Sequence, residues 1–233
     1  MKMKMRSGVI ATLLALAPSV QGDDAPPGTR SLDMQVKVLD NTSASRGQEE
    51  VAARIASSFS TLCGSQANAL ALVNALRNGT VVTLSYAAMT MKDGKPVTTT
   101  TRRTLAIPTQ PMGWGHVRIA LALVQSGLQQ VSISKPNAEQ LQAALTGGTV
   151  KAPQGNVPMR GVLALRATGM GWSQVAQVHG IKLGPVIASL RQAQSGVAAL
   201  PVKEEDPADA RTSVADSASP RTASVASPGR PVQ

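Results

Sequence analysis

Residues 81–107 read Val-Val-Thr-Leu-Ser-Tyr-Ala-Ala-Met-Thr-Met-Lys-Asp-Gly-Lys-Pro-Val-Thr-Thr-Thr-Thr-Arg-Arg-Thr-Leu-Ala-Ile, and they decide between an all-helical and a mixed chain. Val81 to Met91 is rich in β-branched and apolar side chains, Asp93-Gly94 is a type I′ turn signal, and Val97 to Ile107 carries a run of threonines. This is a β-hairpin. The stretches around it are helical in period, so the predicted class is α+β: a mainly helical domain with one β-hairpin.

Working outward, Val51, Ala52, Ile55, Ala56, Phe59 and Leu62 recur at helical steps from Glu49 to a stop near Gly64. A second helix is expected over Ser65–Arg77, closed by Asn78-Gly79. Beyond the hairpin, helices are expected over Trp114–Gln130, Pro136–Leu145, Met159–Ala167, Trp172–Val178 and Leu183–Gln194, punctuated by Gly147-Gly148, Gly169, Gly171 and Gly180. Upstream, Leu32, Met34, Val36 and Val38 alternate, which predicts a strand over Leu32–Leu39. Pro26, Pro27 and Gly28 mark residues 23–31 as a linker.

The two ends differ from the middle. Lys2, Lys4 and Arg6 precede an apolar run, Val9 to Ala17, with no charge until Asp23. The uncharged stretch from Ser7 to Gly22 is 16 residues long and holds Pro18, Ser19 and Gln21, which is short of the roughly 20 apolar residues a bilayer span needs. Residues 1–22 therefore read as a secretory signal peptide cut after Gly22. The expected location is periplasmic or extracellular, with no integral span in the mature chain. From Pro201 the chain is Pro, Ala, Ser and charged residues with little to bury, so 201–233 read as a disordered tail. Residues 32–200 are left as one domain, long enough for a single core.

The formal net charge of +10 falls to +7 without Lys2, Lys4 and Arg6. In the tail, Lys203, Arg211, Arg221 and Arg230 are nearly matched by Glu204, Glu205, Asp206, Asp209 and Asp216, so the folded region is the basic part. Such a charge suits an acidic envelope polymer, anionic lipid or nucleic acid as partner. The cations are nevertheless dispersed, Arg102-Arg103 being the only adjacent pair, and a plain basic surface accounts for them as simply. Cys63 is the single cysteine, which excludes an intramolecular disulfide and leaves a buried thiol or an intermolecular bridge. Trp114, Trp172, Tyr86 and Phe59 are the only aromatic residues, so the core must be aliphatic.

Both tryptophans stand in one tripeptide: Met112-Gly113-Trp114 and Met170-Gly171-Trp172, 58 residues apart, each before a helical pattern. The physical reading is a helix start in which glycine frees the backbone and the indole covers the core from the first turn. The alternative makes Trp114 and Trp172 a ligand-binding pair. Met112-Gly113-Trp114-Gly115, together with Asn137 to Gly148 and Gly169 to Gly184, resembles a group of short exported proteobacterial proteins of unknown function. The resemblance covers roughly half the chain and implies export without a defined activity. Ser173 stands where that group has glycine, and serine is a good capping residue.

Trp172 to Ile181, followed by Leu183 to Arg191, resembles a helix-turn-helix, with Ala176, Gly180 and Val186 at the motif's spacing. A recognition helix there has Leu183, Gly184, Pro185, Ile187 and Ala188 where base-reading side chains belong, leaving Lys182, Arg191 and Gln192 as contacts, with Ser189 in a usually apolar position. A packing unit is the first reading, and nucleic-acid binding over 172–192 the alternative. His116 and His179 are the only histidines, and with Cys63 they show no metal-site spacing. No serine elbow or paired acid and base is visible. Glu49, Glu50 and Glu139 sit at helix starts, where the dipole explains them. The expectation is an exported, non-enzymatic protein that binds or assembles at the envelope, with no metal or cofactor. Its partner would be an acidic envelope polymer or another protein.

Overall fold

Helix α5, Trp114–Gln130, is buried on every side: Val117, Ile119, Leu121, Leu123, Val124 and Leu128 point in all directions and none is exposed. A helix apolar all round must be surrounded. In the computed structural model, which describes residues 27–203, the surrounding layer is α1 (Pro27–Ala44), α4 (Gln66–Asn78), α6 (Ala138–Thr146), α7 (Val162–Ala167) and α9 (Leu183–Ala198), each packed on α5. Between them lie α2 (Gln48–Ser57), α3 (Ser60–Cys63) and α8 (Trp172–Val178). Two separate antiparallel hairpins complete the described residues, β1 (Val82–Lys92) with β2 (Lys95–Leu105), and β3 (Gly148–Ala152) with β4 (Gly155–Met159). The class is α+β and mainly helical. The predicted signal peptide, residues 23–26 of the linker and the tail beyond Lys203 lie outside the described residues.

The first correction concerns Leu32–Leu39, which is not a strand but the middle of α1. Leu32, Val36, Leu39 and Ser43 are buried at helical steps, whereas Met34 is 62% exposed and Val38 points out as well. Four alternating apolar residues mimicked a strand because two of them were simply on the wet side. Pro27, expected in a linker, opens this helix, where a missing N–H costs nothing. The helix expected from Glu49 to Gly64 is split. Ser57 and Ser60 donate back to the carbonyls of Arg54 and Ser57, competing with the ladder, and α3 restarts behind the wholly buried Phe59.

The β1–β2 hairpin has the expected turn, with Asp93 and Gly94 at φ 52° and 73°. Only its base enters the core, through Val82, Leu84 and Leu105. Asn68 fastens that base to α4: its amide donates to the Ser85 and Cys63 carbonyls at 2.8 and 2.9 Å and accepts from Ser85 N at 2.9 Å. The second hairpin was not expected. It moves the start of α7 from Met159 to Val162, since Met159 pairs with Gly148. A side chain at Gly161 would collide with the backbone of Thr146 and Gly147. Helix α9 runs on to Ala198, past Gln194, and Val202 then bridges to Arg46, so the start of the predicted tail belongs to the fold. Cys63 is fully buried and unpaired, and burial pushes its thiol up to about 12, which leaves no exposed sulfur for an intermolecular bridge.

Candidate functional site

The two tryptophans sit in one repeated junction. In the first, Arg77 from the last turn of α4 lies 5.1 Å over the Trp114 ring and donates to the Met112 carbonyl at 2.9 Å. In the second, Arg166 from the last turn of α7 lies 5.0 Å over Trp172 and donates to the Met170 carbonyl at 2.7 Å. Gly113 and Gly171 precede the helices with nearly the same backbone, φ/ψ of −62/159° and −66/153°. Each arginine thus stacks on the indole and satisfies the carbonyl that the turn into the helix leaves open.

The junctions differ in their surroundings. Asp40 of α1 accepts from Gly115 N at 3.0 Å and so caps α5 from outside, while Gly171 N donates to Gln174 Oε1 at 2.9 Å within α8. A Cβ at Gly115 would lie 2.8 Å from Val36 Cα, so the close crossing of α1 and α5 requires glycine there. Ser173 stands at the position equivalent to Gly115, and its hydroxyl is buried. It does not cap the helix as expected, for its hydroxyl has no hydrogen-bond partner. Trp114 Nε1 donates to Gln48 Oε1 at 3.2 Å, whereas the buried Trp172 Nε1 has no protein partner. Both rings are in the core, 4% and 5% exposed, and each offers a cleft only an edge.

Those clefts meet at Pro111. The first, about 750 Å³, is bordered by Trp114, Arg77, Gln48, Glu49, Asn74 and Asn78, with Leu70 and Pro111 as apolar wall. The second, about 500 Å³, is bordered by Trp172, Arg166, His116 and the segment Pro108–Met112. His116 lies against Trp172, with centroids 5.9 Å apart. Burial lowers its pKa, and the Asp40 carboxylate works in the opposite direction. His179, at the end of α8, is also lowered by burial. Among the described residues no group of histidine, cysteine and carboxylates is gathered as a metal site would need.

Lys182, just before α9, and Arg191 and Gln192, on it, are all exposed. Gln192 borders a third cleft of about 270 Å³ with Arg54 and Ser57, away from the tryptophans. Helix α8, the turn at Gly180 (φ 64°) and α9 do follow one another as in a helix-turn-helix, with Ala176 and Val186 buried. Yet α9 packs chiefly along α1, and the side chain of Leu183 lies against Gly28. The start of α9, which would have to enter a groove, therefore lies beside another helix.

Sequence reasoning missed Arg118. It is 4% exposed inside α5, 4.7 Å from the Phe59 ring, with Nε donating to Ser189 Oγ at 3.0 Å. Burial pulls its pKa down to about 10. Ser189, out of place in an apolar position, is explained by this bond. Compared with protein-family models, with curated proteins and with solved structures, the chain matches none of them.

Proposed function

We propose that this chain is an exported, non-enzymatic protein that binds or assembles at the cell envelope, with the paired clefts at Pro111 as its binding site. The observation that carries the reading is the first cleft, where carboxamides of Gln48, Asn74 and Asn78 and the Glu49 carboxylate ring an apolar wall of Leu70 and Pro111. A few convergent polar groups over apolar surface are what a ligand site needs. The charge layout of residues 1–22 supports export. For the alternative, nucleic-acid binding through Lys182, Arg191 and Gln192, the packing of α9 along α1 is unfavourable.

The test has two parts. Expressed in a bacterial host, the chain should be recovered outside the cytoplasm beginning near Asp23, and a cytoplasmic product retaining Met1 would refute export. Asn74→Trp should then block the first cleft from its exposed rim. An envelope component retained by the parent and by a control, Ala188→Trp, should be lost by that variant, and equal retention by all three would refute the site.

A further inference from the structure

We propose that the β1–β2 ribbon is a membrane-contact arm that lays its outer face on an anionic lipid surface. The proposal rests on the ribbon alone and stands independently of the clefts. Each strand has 11 residues, about 35 Å at the usual rise, yet from Met89 to Arg102 every residue is exposed. A two-stranded ribbon wet on both sides is marginally stable. One that projects so far without packing on its own domain has its use in contact with something else.

The register says which face is available and what it carries. Val82, Leu84 and Leu105 turn toward the core at the base, so the opposite face looks outward along the whole ribbon. On that outer face Ser85 pairs with Arg102, Ala87 with Thr100, Met89 with Thr98 and Met91 with Pro96. Met89 and Met91 are 78% and 70% exposed, adjacent on one face, and Pro96 extends the same apolar patch. Arg102 bounds the patch on this face, and Lys92 and Lys95 pair beside the turn on the opposite face, next in sequence to Met91 and Pro96. Asp93 is the single acid between Val82 and Leu105. Arg103 is not counted with these cations, since it pairs with Glu139 at 2.7 Å.

An apolar patch with Arg102 on its own face and two lysines at the adjoining tip matches the boundary between lipid headgroups and acyl chains. Methionine side chains enter the apolar side, and the long lysine stems keep their ammonium groups among the phosphates. Two other partners fit less well. Pro96 removes a backbone amide from β2 and the lysines repel their like, devices that block edge pairing with a second copy. Nucleic acid would engage the cations but offers no apolar layer for Met89, Met91 and Pro96 to enter.

The experiment places an environment-sensitive fluorophore on the arm of the full chain through Met91→Cys. Cys63, fully buried, stays unlabelled. Vesicles of phosphatidylglycerol and phosphatidylcholine should shift the label's emission to the blue. Vesicles of phosphatidylcholine alone should not, and about 0.5 M salt should reverse the shift. Replacing both Lys92→Gln and Lys95→Gln should raise the lipid needed for half the shift about 30-fold. A control label at Gln66→Cys, on the body of the domain, should stay unshifted. Because the readout is local, vesicle binding through another segment leaves it unmoved. An unshifted label on anionic vesicles overturns the proposal. So does a shift produced by duplex DNA and not by lipid, or one that grows with protein concentration without lipid.

Discussion

Replacing each tryptophan by phenylalanine should separate the two junctions. Both changes shorten a buried ring beneath an arginine, so the loss of packing is common to the pair. The polar atom is not. Trp114→Phe removes a hydrogen bond to Gln48, worth about 1 kcal/mol net, and strands no other buried group, since Gln48 is exposed. Trp172→Phe removes a buried N–H with no protein partner, whose burial costs about 1–3 kcal/mol. Trp172→Phe should therefore be the better tolerated by about 2–4 kcal/mol. Either tryptophan replaced by alanine should cost about 3–5 kcal/mol, the range for deleting a large buried aromatic. Urea unfolding followed by far-ultraviolet circular dichroism measures all four variants. If Trp172→Phe proves the more damaging, Nε1 has a partner, and the asymmetry argued from the geometry is wrong. Folded, fully stable alanine variants at both positions would refute core placement altogether and restore the tryptophans as binding groups.

Three further outcomes follow from buried groups. Cys63 should resist a thiol reagent in the native state and react at once in denaturant, because it is inaccessible and its thiol is pushed up to about 12; prompt native labelling would show that the α3–α4 corner opens. Arg118→Met should leave stability unchanged or raise it, since an apolar chain of similar length sheds a desolvated charge, whereas Arg118→Ala should lower it by opening a cavity under Phe59; equal losses would mean that the stacking and the Ser189 bond outweigh desolvation. His116 and His179 both have pKa values lowered by burial, so the unfolded chain takes up protons first and stability should fall as pH drops below about 6.5. A stability profile flat from neutral to mildly acidic pH would contradict their burial as neutral groups.

What could be read from the sequence was what local pattern encodes. The limits of α5 and α8 were legible because Met-Gly-Trp marks a start and an apolar run follows; the first ribbon was legible because Asp93-Gly94 permits few other conformations. Helix α1 was misread because period 2 and period 3.6 coincide at Leu32 and Val36, and only the burial of Leu39 and Ser43 breaks the tie. The β3–β4 hairpin was illegible because Gly148, Pro153, Gly155 and Pro158 read as loop, and its one buried residue, Val150, is too little signal. The clefts could not be read at all. They lie between segments distant in sequence, and two groups that border the first, Arg77 and Gln48, have partners 35 and 66 residues away.

The repeated junction makes one last prediction about the ribbon. Arg166 reaches the Met170 carbonyl across four residues, while Arg77 reaches Met112 across 35, and what fills the longer interval is the β1–β2 ribbon. The junction closes in the same geometry either way, so the distal ribbon contributes little to placing α5. Tyr86 pairs with Thr101, three rungs of the same kind below the Lys92–Lys95 pair that flanks the present turn. Replacing residues 87–100 by Asn-Gly should therefore close a short hairpin in the same register with its own type I′ turn. Val82, Leu84, Leu105 and the Asn68 clamp all lie below the cut, so no core contact is lost. The melting temperature should move by no more than a few degrees, corresponding to about 1 kcal/mol. The trimmed chain should also fail to place a label at Ser85→Cys, on the outer face below the cut, in an anionic membrane. Unfolding on trimming would show instead that the distal ribbon stabilises the domain, and the case for an arm held out for contact would fail with it.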